Sequence, residues 1–354
     1  MRRNPMNDER ESRHEKPGRA AGLRGVWRAA VPVAAAIGVA LVVGGGVDLV
    51  HSRQESDEPK PKSAKTTAVG KADTKGPRYV VGVRRSGTAL VVRDIRTGDD
   101  VGLPVAAPQG QRFQRIASGG DGSYVVAAKT ASKVTFQRLS LDKNGHPEAL
   151  AEIPRVAVTG VSTPWSDLAV TADGDKIAYV TYRGARSRLD VISVGTGQRK
   201  TWTTKAAARL SSLSWAGDTL SFVWNPVRKV KGKLVEIRHQ VRTLDTGGPA
   251  GDLALSKAVL RLPKGSETAV LSQDGQTVVA GVTEQSQIAL QAFSVETGRP
   301  TKVLWEKQVT GAGDLTGLDS DATGGHLLIT GADGRLYIQG APAVPAEDLA
   351  DAAW

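Results

Sequence analysis

Cysteine is absent from all 354 residues. Its absence excludes disulfides, Cys-based zinc sites, iron–sulfur clusters, a thiol nucleophile and a lipidated N-terminal cysteine. Histidine is scarce too. His14, His51, His146, His239 and His326 include no pair at HxH or HxxxH spacing, so none reads as a metal ligand. There is no Gly-x-Ser-x-Gly elbow, and no glycine-rich loop runs into Lys-Ser/Thr. Beyond residue 78 no 3.6-residue apolar pattern lasts long enough for a substantial helix. With no acid/base pair, metal set or phosphate loop to nominate, the expectation is a non-enzyme with no cofactor.

Charge is not lacking, but little of it is concentrated. The formal net charge is +11. Residues 1–28 and 51–78 together supply +7 of it, Asp48 supplies −1, and residues 79–354 hold only +5. Such a spread argues against nucleic acid as a partner, which would need the charge gathered on a folded face. The one long apolar run is Ala29–Val47, 19 uncharged residues edged by Trp27 and Arg28. About 20 apolar residues suffice to cross a bilayer as a helix. A buried helix of a soluble domain and a cleaved secretory signal are the rivals. The first is normally shorter and amphipathic, and the second lacks a small-x-small site after Val47. The expectation is an uncleaved signal anchor over 29–50. Lys16, Arg19, Arg24 and Arg28 precede it, which puts a basic tail, 1–28, in the cytoplasm and the rest outside. Residues 51–77 are Pro/Lys-rich with almost nothing to bury, and read as a disordered tether with ends about 30 Å apart. The predicted location is the cell membrane, single-pass. The Ala/Gly/Val/Arg usage is compatible with a bacterial, actinobacterial-like envelope protein.

From Arg78 onward short strands alternate with turn residues. In Val161–Thr203 four strands, a to d, are joined by an Asp-Gly turn, a basic loop and a Gly-Thr-Gly turn. The order recurs, and the c–d turn glycines fall at 98, 145, 197, 247 and 298, at steps of 47, 52, 50 and 51. One such sheet cannot bury both faces, whereas radial stacking of units of this period does. Residues 171–180 and 270–280 resemble the TolB-type and WD40-like propeller repeat, with its S-x-D-G turn before an apolar strand; the Gly-His and Trp-Asp dipeptides of true WD40 repeats are missing. The resemblance implies an all-β propeller over 78–340. Six units are counted, within a range of five to seven, and the first and last have three strands each. The missing strands are sought in 66–70 or 341–346, and 341–354 is read as a C-terminal tail.

Two candidate features remain. Asp121, Asp173, Asp218 and Asp274 recur once per unit, but Asp before Gly is ordinary turn chemistry, and no loop carries the several oxygen ligands calcium needs. The second is a basic rim. If strands run in the order a to d, every b–c loop emerges on one side. Those loops carry Arg84, Arg85, Lys129, Lys133, Arg183, Arg186, Arg188, Arg228, Lys229, Lys231, Lys233 and Arg335, against Glu284 and Asp333. The a–b turns on the other side carry the Asp residues, with Asp319 and Asp321 among them. Charge for solubility alone is the plain explanation; a directional field for an anionic partner is the functional one. The predicted function is a membrane-tethered, non-catalytic module binding an envelope protein or an anionic wall polymer. A propeller hydrolase or lyase, and a regulator signalling through residues 1–28, are the alternatives.

Overall fold

The computed structural model describes residues 76–284, 286–309, 313–321 and 323–354. The expected tail, anchor and most of the tether lie outside them. Among the described residues no helix is long and apolar enough to cross a membrane. One 3₁₀ turn, Leu253–Leu255, is the sole helical element among them; all else is strand, turn or loop.

The strands form six antiparallel sheets around one axis. The first blade contains β1 (Tyr79–Arg84), β2 (Ala89–Asp94) and β3 (Val105–Ala106). The second has β4 (Arg112–Ser118), β5 (Tyr124–Lys129), β6 (Lys133–Leu141) and β7 (Pro147–Thr159). The third has β8 (Leu168–Val170), β9 (Lys176–Arg183), β10 (Arg186–Ser193) and β11 (Arg199–Thr203). The fourth has β12 (Ala208–Ala216), β13 (Thr219–Val230), β14 (Lys233–Glu236), β15 (Gln240–Asp245) and β17 (Lys257–Arg261); its β16 (Gly251–Asp252) crosses over to pair in parallel with β11. The fifth has β18 (Ala269–Leu271), β19 (Thr277–Glu284), β20 (Gln287–Ser294) and β21 (Pro300–Gln308). The sixth has β22 (Leu315–Ser320), β23 (Leu327–Gly331), β24 (Arg335–Ile338) and β25 (Val344–Pro345).

The last strand, β26 (Leu349–Ala353), returns to the first blade. It pairs with β1 through Val81–Ala353, Gly82–Ala352 and Val83–Asp351 and is that blade's innermost strand. β25 lies in 341–346, one of the two stretches where missing strands were sought, and completes the sixth blade; β26 completes the first, which corrects the expectation that 341–354 is a tail. One blade thus holds both ends of the repeat array, and the ring closes by hydrogen bonds. Arg93, 7% exposed, fastens the seam. Its guanidinium donates to Asp100 at 2.8 Å, to the Pro345 carbonyl at 2.6 Å and to Asp348 at 3.2 Å.

The core lies between blades, because each sheet is apolar on both faces. Val134, Phe136, Ile177 and Tyr179 fill the gap between the second and third blades, with Phe136 and Tyr179 edge to face at 5.5 Å. Trp202, Leu210, Leu220 and Phe222 fill the next. Val80, Leu336, Leu349 and Trp354 seal the sixth blade against the first.

The Asp-Gly turns behave as turn chemistry predicts. Asp121 accepts from the Ser123 NH at 3.0 Å, Asp173 from the Asp175 NH at 3.0 Å, and Asp274 from the Gln276 NH at 2.9 Å. Gly122, Gly174 and Gly275 have φ near +70° to +77°, and each donates its NH three residues back, to Gly119, Thr171 and Ser272, so a left-handed glycine ends the turn of each three- or four-residue hairpin loop.

Candidate functional site

Antiparallel order fixes which loops are neighbours. In every blade the a strand runs toward the a–b turn, b returns, and b–c hairpins therefore share the opposite side. The predicted rim residues do sit on, or at the ends of, b–c hairpins. Two of the twelve are neutralised. Arg84 is ion-paired to Asp348 and, at 2.6 Å, to Asp100. Arg188 lies within β10 rather than in the loop, and its guanidinium donates at 2.9 Å to the fully buried Asp190. Both act within the fold. Arg85 donates to the Glu347 carbonyl at 2.9 Å and remains exposed. Lys129 is half-buried, and burial followed by the nearness of Arg112 and Arg115 lowers its ammonium pKa. Lys133, Arg183, Arg186, Arg228, Lys229, Lys231, Lys233 and Arg335 are exposed.

The fourth blade departs from the pattern. Its b strand β13 has 12 residues, and its final segment, Val227–Val230, leaves the blade to pair with β14 instead of β15. Lys231 (φ 47°) and Gly232 (φ 81°) close this arm as a two-residue turn with both residues left-handed. The arm carries Arg228, Lys229, Lys231 and Lys233. It also exposes Val230 at 37% and Val235 at 44%, with Ile237 just beyond at 52%. Its base is anchored: Glu236 accepts from Arg209 at 2.6 Å and faces His239 Nε2 at 2.8 Å. The hydrogen bond to Glu236 raises the His239 pKa, and the same bond lowers that of Glu236. His239 immediately precedes β15.

Sequence reasoning missed the central channel. A cavity of about 290 Å³ is lined by the inner strands of all six blades. Its residues come from the early half of β12, most of β22 and the approaches to β8 and β18, so it opens on the b–c side, inside the basic rim. Near the mouth the Arg209 guanidinium stacks 3.9 Å from the centroid of the Trp165 ring, and Trp165 is 49% exposed. Deeper lie Arg115, Asp167, Asp351 and Asp319. Asp167 accepts from the Leu168 and Leu213 NH groups, each at 2.9 Å. Asp351 accepts from the Ile116 NH at 2.9 Å and lies 3.7 Å from Arg115. Burial lifts the Asp351 pKa to about 6 against the pull of Arg115. Burial, then the charges of Asp351 and Asp167, lifts Asp319 to about 7. The sequence reading had placed Asp319 among the a–b turns. It is instead on β22, facing the channel, and forms part of the boundary with the cavity on the far side. Charged residues inside otherwise apolar inner strands were the available signal.

Among the described residues no cluster of three or more His, Asp or Glu side chains has the geometry to hold a metal ion. No family model and no curated protein matches the sequence. Solved structures with a similar course of chain include a nidogen/laminin complex, at 12% identity and TM-score 0.49 over 78% of this chain and 97% of that one. A functionally unknown protein from Desulfotomaculum acetoxidans matches at 12% identity and TM-score 0.46, over 78% and 98%. TolB from Acinetobacter baumannii matches at 14% identity and TM-score 0.32, over 65% of each chain.

Proposed function

We propose that this chain is a membrane-tethered, extracytoplasmic propeller whose b–c side binds an acidic envelope partner, a protein surface or an anionic wall polymer, without catalysing a reaction. The observation that carries the reading is the fourth-blade arm. Beyond Val227, which is buried, and Glu236, which anchors its base, the arm's two extra strand segments project from the blade, holding four cations with exposed Val230 and Val235 and leading to exposed Ile237. Cations surrounding a small apolar strip supply long-range attraction and short-range burial to one anionic surface. The anchor at 29–50 would bring the chain into β1 from the a–b side, since β1 runs from that side to the other. The arm would then point away from the membrane.

The test replaces Arg228, Lys229, Lys231 and Lys233 with Ser in the full chain. A control replaces Lys143, Lys257, Arg299 and Lys302, an equal charge on c–d turns and outer strands. Binding to purified anionic wall polymer is then titrated against salt. The arm variant should lose at least tenfold in affinity, the control much less, and wild-type binding should weaken as salt rises, because exposed charges are screened over about 8 Å at physiological ionic strength. Equal losses in both variants would reduce the reading to net charge.

A second reading, a hydrolase or lyase working in the channel, draws on the paired carboxyls of Asp319 and Asp351. It requires that Asp319→Asn abolish a turnover shown by the wild type.

A further inference from the structure

The channel is badly matched to its own charges. Asp167, Asp319, Asp351, Glu236 and Glu267 line it against only Arg115 and Arg209. Both arginines are already engaged. Arg115 donates to the carbonyls of Pro164 and Ser166, and Arg209 is shared between Glu236 and the Trp165 ring. The wall also holds polar atoms with no partner among the described residues. Asp319 Oδ2 has none, although it has no exposed surface. Neither has Asn225 Oδ1, in a side chain 5% exposed, nor Thr268 Oγ1, in one 3% exposed. Covered acceptors left unmade cost about 1–3 kcal/mol each, so a site with three of them is poised for something that donates.

We propose that this cavity is a binding site for a small linear amine, its ammonium group directed at Asp319 and its body lying along the Asn225 and Thr268 wall. A primary ammonium has three donors and no acceptor, which suits a lining short of donors. The same net negative lining disfavours an anion, so this ligand differs in class from the partner of the arm and is independent of that reading. Trp165 and Arg209 at the mouth supply an apolar and planar collar for an alkyl chain. A cation at Asp319 also favours ionisation of that carboxyl. Its neighbours across the channel are Asp351, Asp167, Arg115 and, more distantly, Tyr124. Of these the two other carboxylates reinforce the field and Arg115 opposes it.

The experiment is calorimetric titration of the detergent-solubilised full chain with 1,4-diaminobutane, and with 1,4-butanediol as the uncharged match. Wild type should bind the diamine saturably, one per chain, and more tightly at pH 8 than at pH 5. Asp319→Asn should weaken it at least tenfold, about 1.4 kcal/mol. Thr268→Val, in the neighbouring blade, should weaken it too and decides the matter should the first variant not fold. The arm variant should retain full diamine affinity, which separates failure of this site from failure of the rim. No saturable heat from the diamine, equal binding of the diol, or undiminished affinity in both wall variants would overturn the proposal.

Discussion

At the scale of single residues, burial and close packing make two positions testable. Asp319 is ionisable in a place that resists ionisation. Its folded pKa of about 7 and that of Asp351, about 6, both exceed the ordinary carboxylate value. The folded state therefore binds more protons than the unfolded chain between roughly pH 4 and 7, and these groups make stability fall as pH rises through that window. Asp319→Asn should raise stability at pH 8 by on the order of 1 kcal/mol, each pKa unit being worth about 1.4 kcal/mol, with the gain gone by pH 4. Chemical denaturation at the two pH values checks it; a variant less stable at pH 8 would contradict the burial account. Gly120 is the second. A Cβ there would stand 1.5 Å from the Ala172 carbonyl oxygen, in the next blade's a–b turn. Gly120→Ala has no flexible side chain to displace and should cost about 1–3 kcal/mol, as overpacking does.

At the scale of elements, closure and arm make opposite demands. β26 is short, but it carries Leu349 and leads to Trp354, buried at 7% and 4% exposure against the sixth blade. Trp354→Ala should cost about 3–5 kcal/mol, the usual range for a large buried aromatic. Thermal melts would show it as a lowered midpoint of a single transition. An unchanged midpoint would mean that the seam is held by Arg93 and strand pairing alone. The arm should behave otherwise. Shortening Arg228–Val235 to a tight turn removes the exposed Arg228, Lys229, Val230, Lys231, Lys233 and Val235 and should leave stability within about 0.5 kcal/mol, as surface changes do, while removing polymer binding. Had the arm been structural, its deletion would lower the melting point as the tryptophan change does.

At the scale of the whole molecule, two unlike sides follow from topology. The a–b side is studded with Asp-Gly turns, each carboxylate occupied by its own turn. The b–c side carries the unpaired cations around the mouth of an acidic channel. Where the proposed tether and anchor would put the propeller decides which side partners meet. Protease added to intact protoplasts should remove the propeller, and the residual fragment should retain residues 1–28. Protection of the propeller, or a mature form beginning near residue 48, would refute the proposed topology.

The sequence by itself determined the repeat, the turns and the side on which each loop emerges. These rest on local chemistry. Asp-Gly selects a hairpin, alternation selects a strand, and a 50-residue period forces sheets to stack on one another. It could not determine how the ring closes. Pairing of β26 with β1 joins residues as distant as Arg84 and Asp348, and nothing in Leu349–Ala353 read alone distinguishes a closing strand from a tail. Nor could it separate Arg84 and Arg188 from their free neighbours on the rim, since Asp348 and Asp190 reach them only through register. The channel was hidden for the same reason. Arg115, Asp167, Asp319 and Asp351 belong to four different blades, and their shared desolvation exists only once six inner strands surround one axis.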